Sequence, residues 1–438
     1  MKLKQPKNEN YAGIVVEIKT TVPLAGCNNV QAAIIMGNQV IVSKDTKVGD
    51  IGIYFPLECQ LSKEYLSNNN LYRKKLNLNI DPEDKGGFFE ENGRIRCQKF
   101  MGYKSEGLYM PLESLQFAGK LHFEIGDVFD ELNGVEICRK YVTKKKVNSH
   151  RNTTEKSSSR IKRESRLVDG QFRFHDNTSM LYRNLHRIEP DTIISITYKL
   201  HGTSGISSYV LCNRKLKLHE KIAKFLGVKV VEQEYDYIYS SRKVIKNEYL
   251  NPNAKHYYSE DIWGMAHKKI ESLLLKGMTI YYEIVGYLPG GGEIQKGYDY
   301  GCKDNEFSIF VYRITHTNSD GKVIEYSAKQ VQEYCKKFGL NPVPELFYGR
   351  AEDLYNTLIY SEKRQTDALW NAEKFLEVIK LKYNDHNCYI CYNEVPEEGV
   401  VIRVEGLDFE AYKQKSNLFY ELETKLLDKG EIDIEEEN

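Results

Sequence analysis

Alternating apolar and polar positions recur along the chain and predict a protein built largely from strands. Residues 194–197 form a β-branched run typical of a buried strand, and residues 202–204 (Gly-Thr-Ser) predict a turn. Lys199 lies where this strand stops, so a rigid element would hold its amine at the mouth of any adjoining site. A lysine that only reaches solvent at a strand end fits this stretch equally well.

Further strands downstream carry polar side chains inside apolar runs. They are predicted at residues 281–286, 307–312, 398–403 and 412–416. The last strand places Lys413 and Lys415 two residues apart, so both side chains point to one face. Helical periodicity predicts helices at residues 216–225, 261–275, 328–338, 351–358 and 368–382. The mixture predicts an α+β protein.

Residues 11–140 are predicted to be mostly β. A hairpin is expected around Gly37-Asn38, with further strands at residues 51–55, 94–97 and 106–110. Several short strands with regular turns indicate a small barrel or a sandwich. A five-stranded OB barrel is a common nucleic-acid platform of this size.

Residues 139–166 differ from their surroundings in charge. Only Glu155 and Glu164 oppose eleven cations, which are Arg139, Lys140, Lys144, Lys145, Lys146, Arg151, Lys156, Arg160, Lys162, Arg163 and Arg166. Such a stretch is typical of a linker. It serves either as a solvated tether or as a basic strip for a phosphate backbone, and the sequence is compatible with both.

The overall composition indicates the cellular compartment of the protein but says little about its function. The 438 residues carry equal numbers of cationic and acidic side chains, so net charge indicates no nucleic-acid partner. Nine cysteines, an odd number, predict reduced thiols and a cytoplasmic location. Such a location is compatible with a cellular, viral or phage origin. Cys388 and Cys391 form a C-x-x-C pair without the second pair that zinc usually needs. Because no apolar run is long enough to span a bilayer, we expect no membrane partner.

Taken in order, the strand ending at Lys199 and the four strands after it resemble the covalent nucleotidyltransferase superfamily of ATP-dependent ligases and mRNA capping enzymes. Lys199-Leu200-His201-Gly202-Thr203, residues 293–300 and the pair Lys413 and Lys415 resemble the RNA ligase 2 group. An upstream β domain instead resembles the RNA ligase 5 (Naegleria-like) family, in which an N-terminal OB domain precedes the nucleotidyltransferase domain. The 23 residues after Lys415 leave no room for the downstream OB domain of capping enzymes and many DNA ligases.

The resemblance implies a role for each matching residue. Lys199 would be the nucleophile that attacks the α-phosphate of ATP and forms lysyl-AMP. The implied ATP-binding residues are Lys199, His201, Gly202, Arg242, Glu283, Phe310, Glu398, Lys413 and Lys415. Arg242 and Glu283 would contact the ribose, Phe310 would stack on adenine, and Glu398 and Glu283 would serve Mg²⁺ or Mn²⁺. Arg214 competes with Arg242 and Phe307 with Phe310, while His201, in place of the usual Asp, leaves details of metal use open.

These implications define the expected organisation. Residues 1–145 would form the OB-like domain, 146–170 a basic linker and 171–438 the nucleotidyltransferase domain of antiparallel sheets flanked by helices. The protein is expected to be a monomer that seals RNA 5′-phosphate and 3′-hydroxyl ends at duplex nicks. The N-terminal domain would assist adenylylation and RNA engagement, and residues from about 165 onward would fold alone. A DNA ligase, a capping guanylyltransferase and a non-catalytic RNA-binding protein are the alternatives.

Overall fold

The computed structural model describes residues 3–119, 122–142, 166–175, 177–246, 258, 260–361 and 370–429, with side chains of the fifth helix described only to residue 357. Most of the basic segment, including Lys144, Lys145 and Lys146, therefore lies outside the described residues. No helix in these ranges is long and apolar enough to cross a membrane.

Short strands make up most of the N-terminal module, which we define as the described residues up to 142. The strands are β1 (Gly13–Glu17), β2 (Thr21–Pro23), β3 (Val30–Ile35), β4 (Asn38–Ser43), β5 (Ile51–Phe55), β6 (Cys59–Leu61), β7 (Gln98–Phe100), β8 (Tyr103–Ser105), β9 (Leu108–Pro111), β10 (Val128–Phe129), β11 (Glu131–Leu132), β12 (Val135–Glu136) and β13 (Cys138–Lys140). Helix α1 is Lys63–Asn68, and 3₁₀ turns lie at Glu9–Tyr11, Lys74–Leu76 and Leu112–Ala118.

Hydrogen bonding divides these strands among several small sheets. One sheet has the order β10-β1-β5-β9, another has the order β2-β3-β4, and β13-β6, β7-β8 and β11-β12 pair separately. The described strands do not close into one barrel, so the OB-type barrel is not confirmed. The prediction of a strand at residues 94–97 is wrong. Arg94 makes only a single bridge to Gln60, and its guanidinium is instead held by the buried Glu58 carboxylate at 2.7 Å.

The predicted hairpin of this module forms between β3 and β4. Ile35 pairs with Asn38, so Met36 and Gly37 are the two turn residues. Both have positive φ angles, 51° and 71°. Such a turn matches the twist of the flanking strands and favours glycine.

Longer elements follow in the second part of the chain. The strands are β14 (Ser179–Met180), β15 (Ile193–Tyr198), β16 (Thr203–Asn213), β17 (Gln233–Ser241), β18 (Met278–Gly286), β19 (Phe307–Thr317), β20 (Val323–Glu325), β21 (Asn341–Pro342), β22 (Glu345–Arg350), β23 (Gly399–Val404) and β24 (Glu410–Lys415). The helices are α2 (Leu218–Phe225), α3 (Ile262–Ile270), α4 (Ala328–Phe338), α5 (Ala351–Ser361), α6 (Ala372–Tyr383) and α7 (Asn417–Asp428), and 3₁₀ turns lie at Leu181–Arg183, Leu185–Arg187 and Glu271–Leu273.

Two mostly antiparallel sheets organise this part. The first has the order β14-β24-β23-β15-β22, and the second has the order β17-β16-β18-β19-β20 with β21 beside β19. β15 belongs to the first sheet and β16 to the second. Lys199 to Gly202 therefore connect the two sheets, which places the predicted nucleophile at their junction. The mixed α/β class and the antiparallel sheets predicted from the sequence are observed.

The hydrophobic core is continuous between the N-terminal module and the first of these sheets. Ile35 and Val40 of the module share one buried cluster with Ile194, Leu376 and Ile402. Each such buried side chain contributes roughly 1.5–3 kcal/mol, and a domain is usually stable by only about 5–15 kcal/mol. The expectation that residues from about 165 onward fold alone conflicts with this shared core.

Polar contacts also join the module to the rest of the chain. Lys380 of α6 donates to the Gly37 carbonyl at 2.9 Å and pairs with Glu106 at 3.2 Å. From α7, Asp428 pairs with Arg94 at 3.4 Å and with Arg96 at 3.1 Å. Helix α7 therefore lies between the module and the end of β24, where Lys415 is located.

Candidate active site

A cavity of about 560 Å³ lies where the two large sheets and the N-terminal module meet. Six of the residues singled out from the sequence line it, namely Lys199, Arg242, Glu283, Glu398, Lys413 and Lys415. They come from five separate stretches of the chain. The fold therefore brings these six side chains, which are far apart in the sequence, into one cavity.

Lys199 is held at the base of this cavity. Its backbone N–H donates to the Gly399 carbonyl at 2.8 Å, which fixes the end of β15 against β23. Its Nζ lies 2.7 Å from Oε1 of Glu398. The Glu398 side chain is only 3% exposed, so this ion pair is shielded from water. A lysine that a buried carboxylate fixes inside a cavity is a candidate functional residue rather than a strand-end lysine that only reaches solvent.

Hydrogen bonds from residues 293–300 hold the turn after Lys199 in place. The His201 N–H donates to the Tyr300 hydroxyl at 2.6 Å, and Gln295 donates to the Gly202 carbonyl at 2.8 Å. The His201 ring packs edge-on against Tyr298 at 5.0 Å, and its Nδ1 lies 3.7 Å from Glu398 Oε2. Neither His201 nor Gly202 lines the cavity. They lie outside the cavity, next to Lys199 and Glu398, and help to hold these two residues in position.

Gly202 has a steric reason to be glycine. A Cβ there would approach the Ile284 backbone carbonyl and would lie 2.9 Å from Cγ of Glu283. The close contact lets the turn pass directly over β18. Any larger residue would push the turn away from the strand that carries Glu283.

Glu283 is oriented by the neighbouring strand. Ser204 on β16 donates to Glu283 Oε2 at 3.1 Å, and the Ser204 carbonyl accepts from the buried Trp263 indole at 3.0 Å. Glu283 is 6% exposed and faces the cavity. A buried carboxylate in this position is well placed to accept hydrogen bonds from a hydroxyl-bearing ligand.

Lys413 and Lys415 project from β24 toward the same space. Burial, together with the positive charges of Lys415 and Lys199, lowers the pKa of Lys413 to about 7. Burial also opposes the charge on Lys415, but Glu423 and Glu398 outweigh it and raise the pKa of Lys415. Lys415 Nζ lies 3.1 Å from Glu423 on α7 and 4.0 Å from Glu398.

The alternatives for the ribose contact occupy different places. Arg242 lines the cavity, and its guanidinium donates to Asn177 Oδ1 at 2.8 Å. Arg214 lies outside it and contacts Glu220 at 2.5 Å and the Val231 carbonyl at 2.8 Å. The structure thus places Arg242, and not Arg214, with Lys199.

The two aromatic candidates lie on opposite faces of β19. Phe310 pairs with Glu283 across the β18–β19 ladder and packs in the cluster that contains Leu200 and Val285. Phe307 packs on the other side, with the Lys269 ammonium 3.6 Å from its ring centroid. Phe310 does not itself line the cavity, whereas Tyr312 does. Stacking by Phe310 stays a prediction.

The N-terminal module contributes residues that sequence reasoning did not assign to the site. Tyr11, Glu58 and Lys140 line the cavity opposite Lys413 and Lys415. The Lys140 ammonium lies 5.0 Å from the Tyr11 ring centroid. The basic composition around residue 140 was a signal for this. Nothing in the local pattern distinguishes Lys140 from its basic neighbours.

The donor set of the cavity suits a hydrated divalent cation. Glu398 Oε2 is buried and has no hydrogen-bond partner. Mg²⁺ is usually held by one or two carboxylates together with waters and substrate phosphates. Within the described ranges, no group of three or more His, Cys, Asp and Glu side chains could hold a metal by protein ligands alone.

No protein-family model and no curated protein matches the chain. Solved structures of Naegleria gruberi RNA ligase have a similar fold. A mutant with ATP and Mn is 16% identical with a TM-score of 0.55, and the match covers 95% of this chain and 99% of that chain. The form with PPi is also 16% identical with a TM-score of 0.56 over the same shares. The similarity spans both the N-terminal module and the two-sheet part, so the two proteins share their overall fold.

Proposed function

We propose that the protein is an ATP-dependent RNA ligase that works by three nucleotidyl transfers. The observation that carries the proposal is the convergence of Lys199, its partner Glu398 and the lysine pair of β24 in one cavity. Solved proteins of similar fold are named RNA ligases and have been captured with ATP and Mn, AMP and Mn, or PPi. The nucleotides, the metal ion and the pyrophosphate in those structures support nucleotidyl transfer as the reaction of this protein.

In the first step the Lys199 amine attacks the α-phosphorus of ATP. A nitrogen–phosphorus bond forms, the bond from the α-phosphorus to the bridging oxygen breaks, pyrophosphate leaves and the lysine loses its proton. Lys413 and Lys415 would neutralise the phosphates, and their alternation on β24 lets both reach one phosphate group. Fixed charges of this kind lower the barrier because they need little reorganisation during the reaction.

The nucleoside would be held by the remaining residues. Glu283 and Arg242 would contact the ribose, and Phe310 would stack on adenine. Glu398 and Glu283 would serve a Mg²⁺ or Mn²⁺ ion, which would supply charge neutralisation at the phosphates. In the later steps AMP moves to an RNA 5′-phosphate, and a 3′-hydroxyl then displaces it to form the phosphodiester.

The N-terminal module would act chiefly in the first step. Lys140 lines the same cavity as Lys413, and its positive charge contributes to lowering the pKa of Lys413. We infer that this residue helps to orient the pyrophosphate leaving group and that the module also engages RNA. Residues 1–145 would form an OB-type platform, 146–170 a basic linker and 171–438 the nucleotidyltransferase domain. The protein would act as an intracellular monomer at nicks in duplexes.

Ligation of matched nicked duplexes tests the proposal. The 3′-hydroxyl and 5′-phosphate strands at the nick are each RNA or DNA, and ATP or GTP is the nucleotide. Sealing that requires ATP and RNA at the nick supports the assignment. Sealing of all-DNA nicks at an equal rate would indicate a DNA ligase, and covalent labelling by GTP alone would indicate a capping enzyme. Absence of any covalent nucleotide would leave only the RNA-binding interpretation.

A further inference from the structure

The loop that joins β16 to β17 forms a projection, which we call the basic hairpin (residues 213–234). It contains α2, and none of its residues is buried. Six large apolar side chains within it are exposed, namely Leu218 (76%), Ile222 (53%), Phe225 (90%), Leu226 (70%), Val228 (58%) and Val231 (72%). No other stretch of similar length in the described chain exposes as many. Contiguous exposed apolar surface of this kind marks an interaction site.

Four of these side chains share one face of α2. Leu218, Ile222, Phe225 and Leu226 have the i, i+4, i+7, i+8 spacing of an amphipathic helix. In most proteins such a face packs on the core. Here it faces outward, and Val228 and Val231 extend it along the returning chain.

Hydrogen bonds and ion pairs hold the basic hairpin together, and none of them involves the apolar face of α2. Arg214 pairs with Glu220 at 2.5 Å and donates to the Val231 carbonyl at 2.8 Å. Lys224 pairs with Glu232 at 2.6 Å. Glu220 also accepts from the Lys217 N–H at 2.7 Å and so caps the start of α2. The helix is therefore held in place while its apolar side stays available.

The hairpin also carries a net positive charge. Three carboxylates, Glu220, Glu232 and Glu234, oppose six cations, which are Arg214, Lys215, Lys217, Lys221, Lys224 and Lys229. Lysines beside an exposed apolar face form the pattern of helices that lie in the interface of a lipid bilayer. The cations attract acidic headgroups, and the apolar side chains enter the acyl boundary.

We propose that the basic hairpin binds the surface of an anionic lipid bilayer, with Phe225, Ile222 and Leu218 inserted. RNA would match the cations but would leave the apolar face in water. A protein partner would need a groove shaped to a projecting tip, whereas a fluid interface adapts to it. The expectation of no membrane partner rested on the absence of a spanning segment, and a helix lying on the surface needs none. The proposal does not depend on the ligase activity.

Flotation of the full chain with lipid vesicles tests this inference. Vesicles contain phosphatidylcholine alone or phosphatidylcholine with phosphatidylserine. We expect binding to the acidic vesicles that falls at least about tenfold in the Leu218→Gln/Ile222→Gln/Phe225→Gln variant. Lys217→Gln/Lys221→Gln/Lys229→Gln should lower binding by roughly fivefold for each cation lost and make the remaining binding less sensitive to salt, because less electrostatic attraction is left to screen. Leu407→Gln, at a residue 95% exposed elsewhere, and Lys44→Gln/Lys47→Gln/Lys63→Gln are the matched controls.

Four results would overturn the proposal. The first is absence of binding to acidic vesicles, and the second is equal binding to neutral and acidic vesicles. The third is self-association that disappears with the apolar variant while vesicles are not bound. The fourth is RNA binding that falls in the lysine variant without any vesicle binding. Thermal unfolding of each variant checks that the fold is intact. We expect no loss of stability, because the changed side chains are exposed.

Discussion

The Lys199 amine and the Glu398 carboxylate lie 2.7 Å apart in a shielded position. An ammonium in such a pair is held in place but cannot attack phosphorus until it loses its proton. The carboxylate that holds it also has a buried oxygen without a hydrogen-bond partner. Glu398 is therefore placed to position the proposed nucleophile and, when a metal binds, to share its charge with that ion.

The first prediction concerns this carboxylate. Glu398→Gln should slow lysyl-AMP formation by about 10²-fold or more, because it removes one fixed charge from the reacting centre. It should also raise the Mn²⁺ concentration needed for half-maximal rate. Single-turnover labelling at several metal concentrations measures both effects.

The neighbouring carboxyl supplies the control for that change. Burial and Cys388 raise the pKa of Glu397 to about 10, so this group is already neutral at ordinary pH. Glu397→Gln should therefore change the labelling rate little. Equal losses in the two variants would mean that Glu398 acts only through packing.

The lysine pair of β24 gives a second prediction. Lys413→Ala or Lys415→Ala should each impair adenylylation by ~2–4 kcal/mol if the side chains act as preorganised charges. Glu423→Gln should cost less, because Lys415 keeps its charge but loses the partner at 3.1 Å that orients it. Rates of lysyl-AMP formation compare the three variants with Lys425→Ala, an exposed lysine on α7. Full activity in both lysine variants would show that neither binds phosphate.

A third prediction concerns protons taken up when ATP binds. The pKa of Lys413 is lowered to about 7 by burial and by repulsion from Lys415, Lys199, Lys140 and Arg242. Bound phosphates would offset this repulsion and raise the pKa toward its ordinary value of about 10.4. The bound state therefore holds more protons between these values, and ATP affinity should fall as pH rises above about 7.

Calorimetry of ATP binding in buffers of different ionisation enthalpy measures this uptake. Near pH 8 the wild-type protein should take up a substantial fraction of one proton, with the pKa of Lys413 at about 7 in the free protein. Lys413→Met should bind ATP more weakly and take up correspondingly less. The same proton number in both proteins, or an affinity that rises with pH, would contradict the assignment to Lys413.

The fourth prediction separates the steps by using the N-terminal module. Lys140→Ala should slow lysyl-AMP formation strongly while sealing of pre-adenylylated nicks is affected less, because pyrophosphate is present only in the first step. Arg139, the adjacent strand residue, faces away from the cavity and donates to Gln60 at 2.9 Å. Arg139→Ala is therefore the matched control. Equal slowing of both steps by Lys140→Ala would show a general role in folding or RNA binding.

The strands that carry the site could be predicted because the alternation of apolar and polar residues is a local pattern. The strand at residues 51–55 and the helix at 328–338 form with the predicted bounds, and Lys413 and Lys415 share a face as their alternation requires. Lys199, Glu283 and Glu398, which the order of the motifs grouped together, line one cavity. These features depend on periodicity and on short-range turns.

Features that depend on packing between distant segments were not predicted. Helix α7, which carries Glu423, was not predicted, although Ser416 and the helical spacing of Leu418, Phe419, Leu422 and Leu426 are signals for it. The contact of Glu423 with Lys415 depends on how this helix packs. Lys140 joins the site only because the module docks through a shared core. The small sheets of the module likewise depend on long-range pairing, which local alternation cannot distinguish from a closed barrel.

If Lys199 carries the nucleotide, its loss should abolish covalent labelling but spare the sealing of an activated end. Lys199→Ala and wild-type protein are incubated with α-³²P-labelled ATP and Mn²⁺, and are separately given a nicked duplex with a pre-adenylylated RNA end. The variant should take up no covalent label but should still seal the pre-adenylylated nick, since that step needs no lysyl-AMP. Covalent labelling that persists in Lys199→Ala would show that another residue carries the nucleotide.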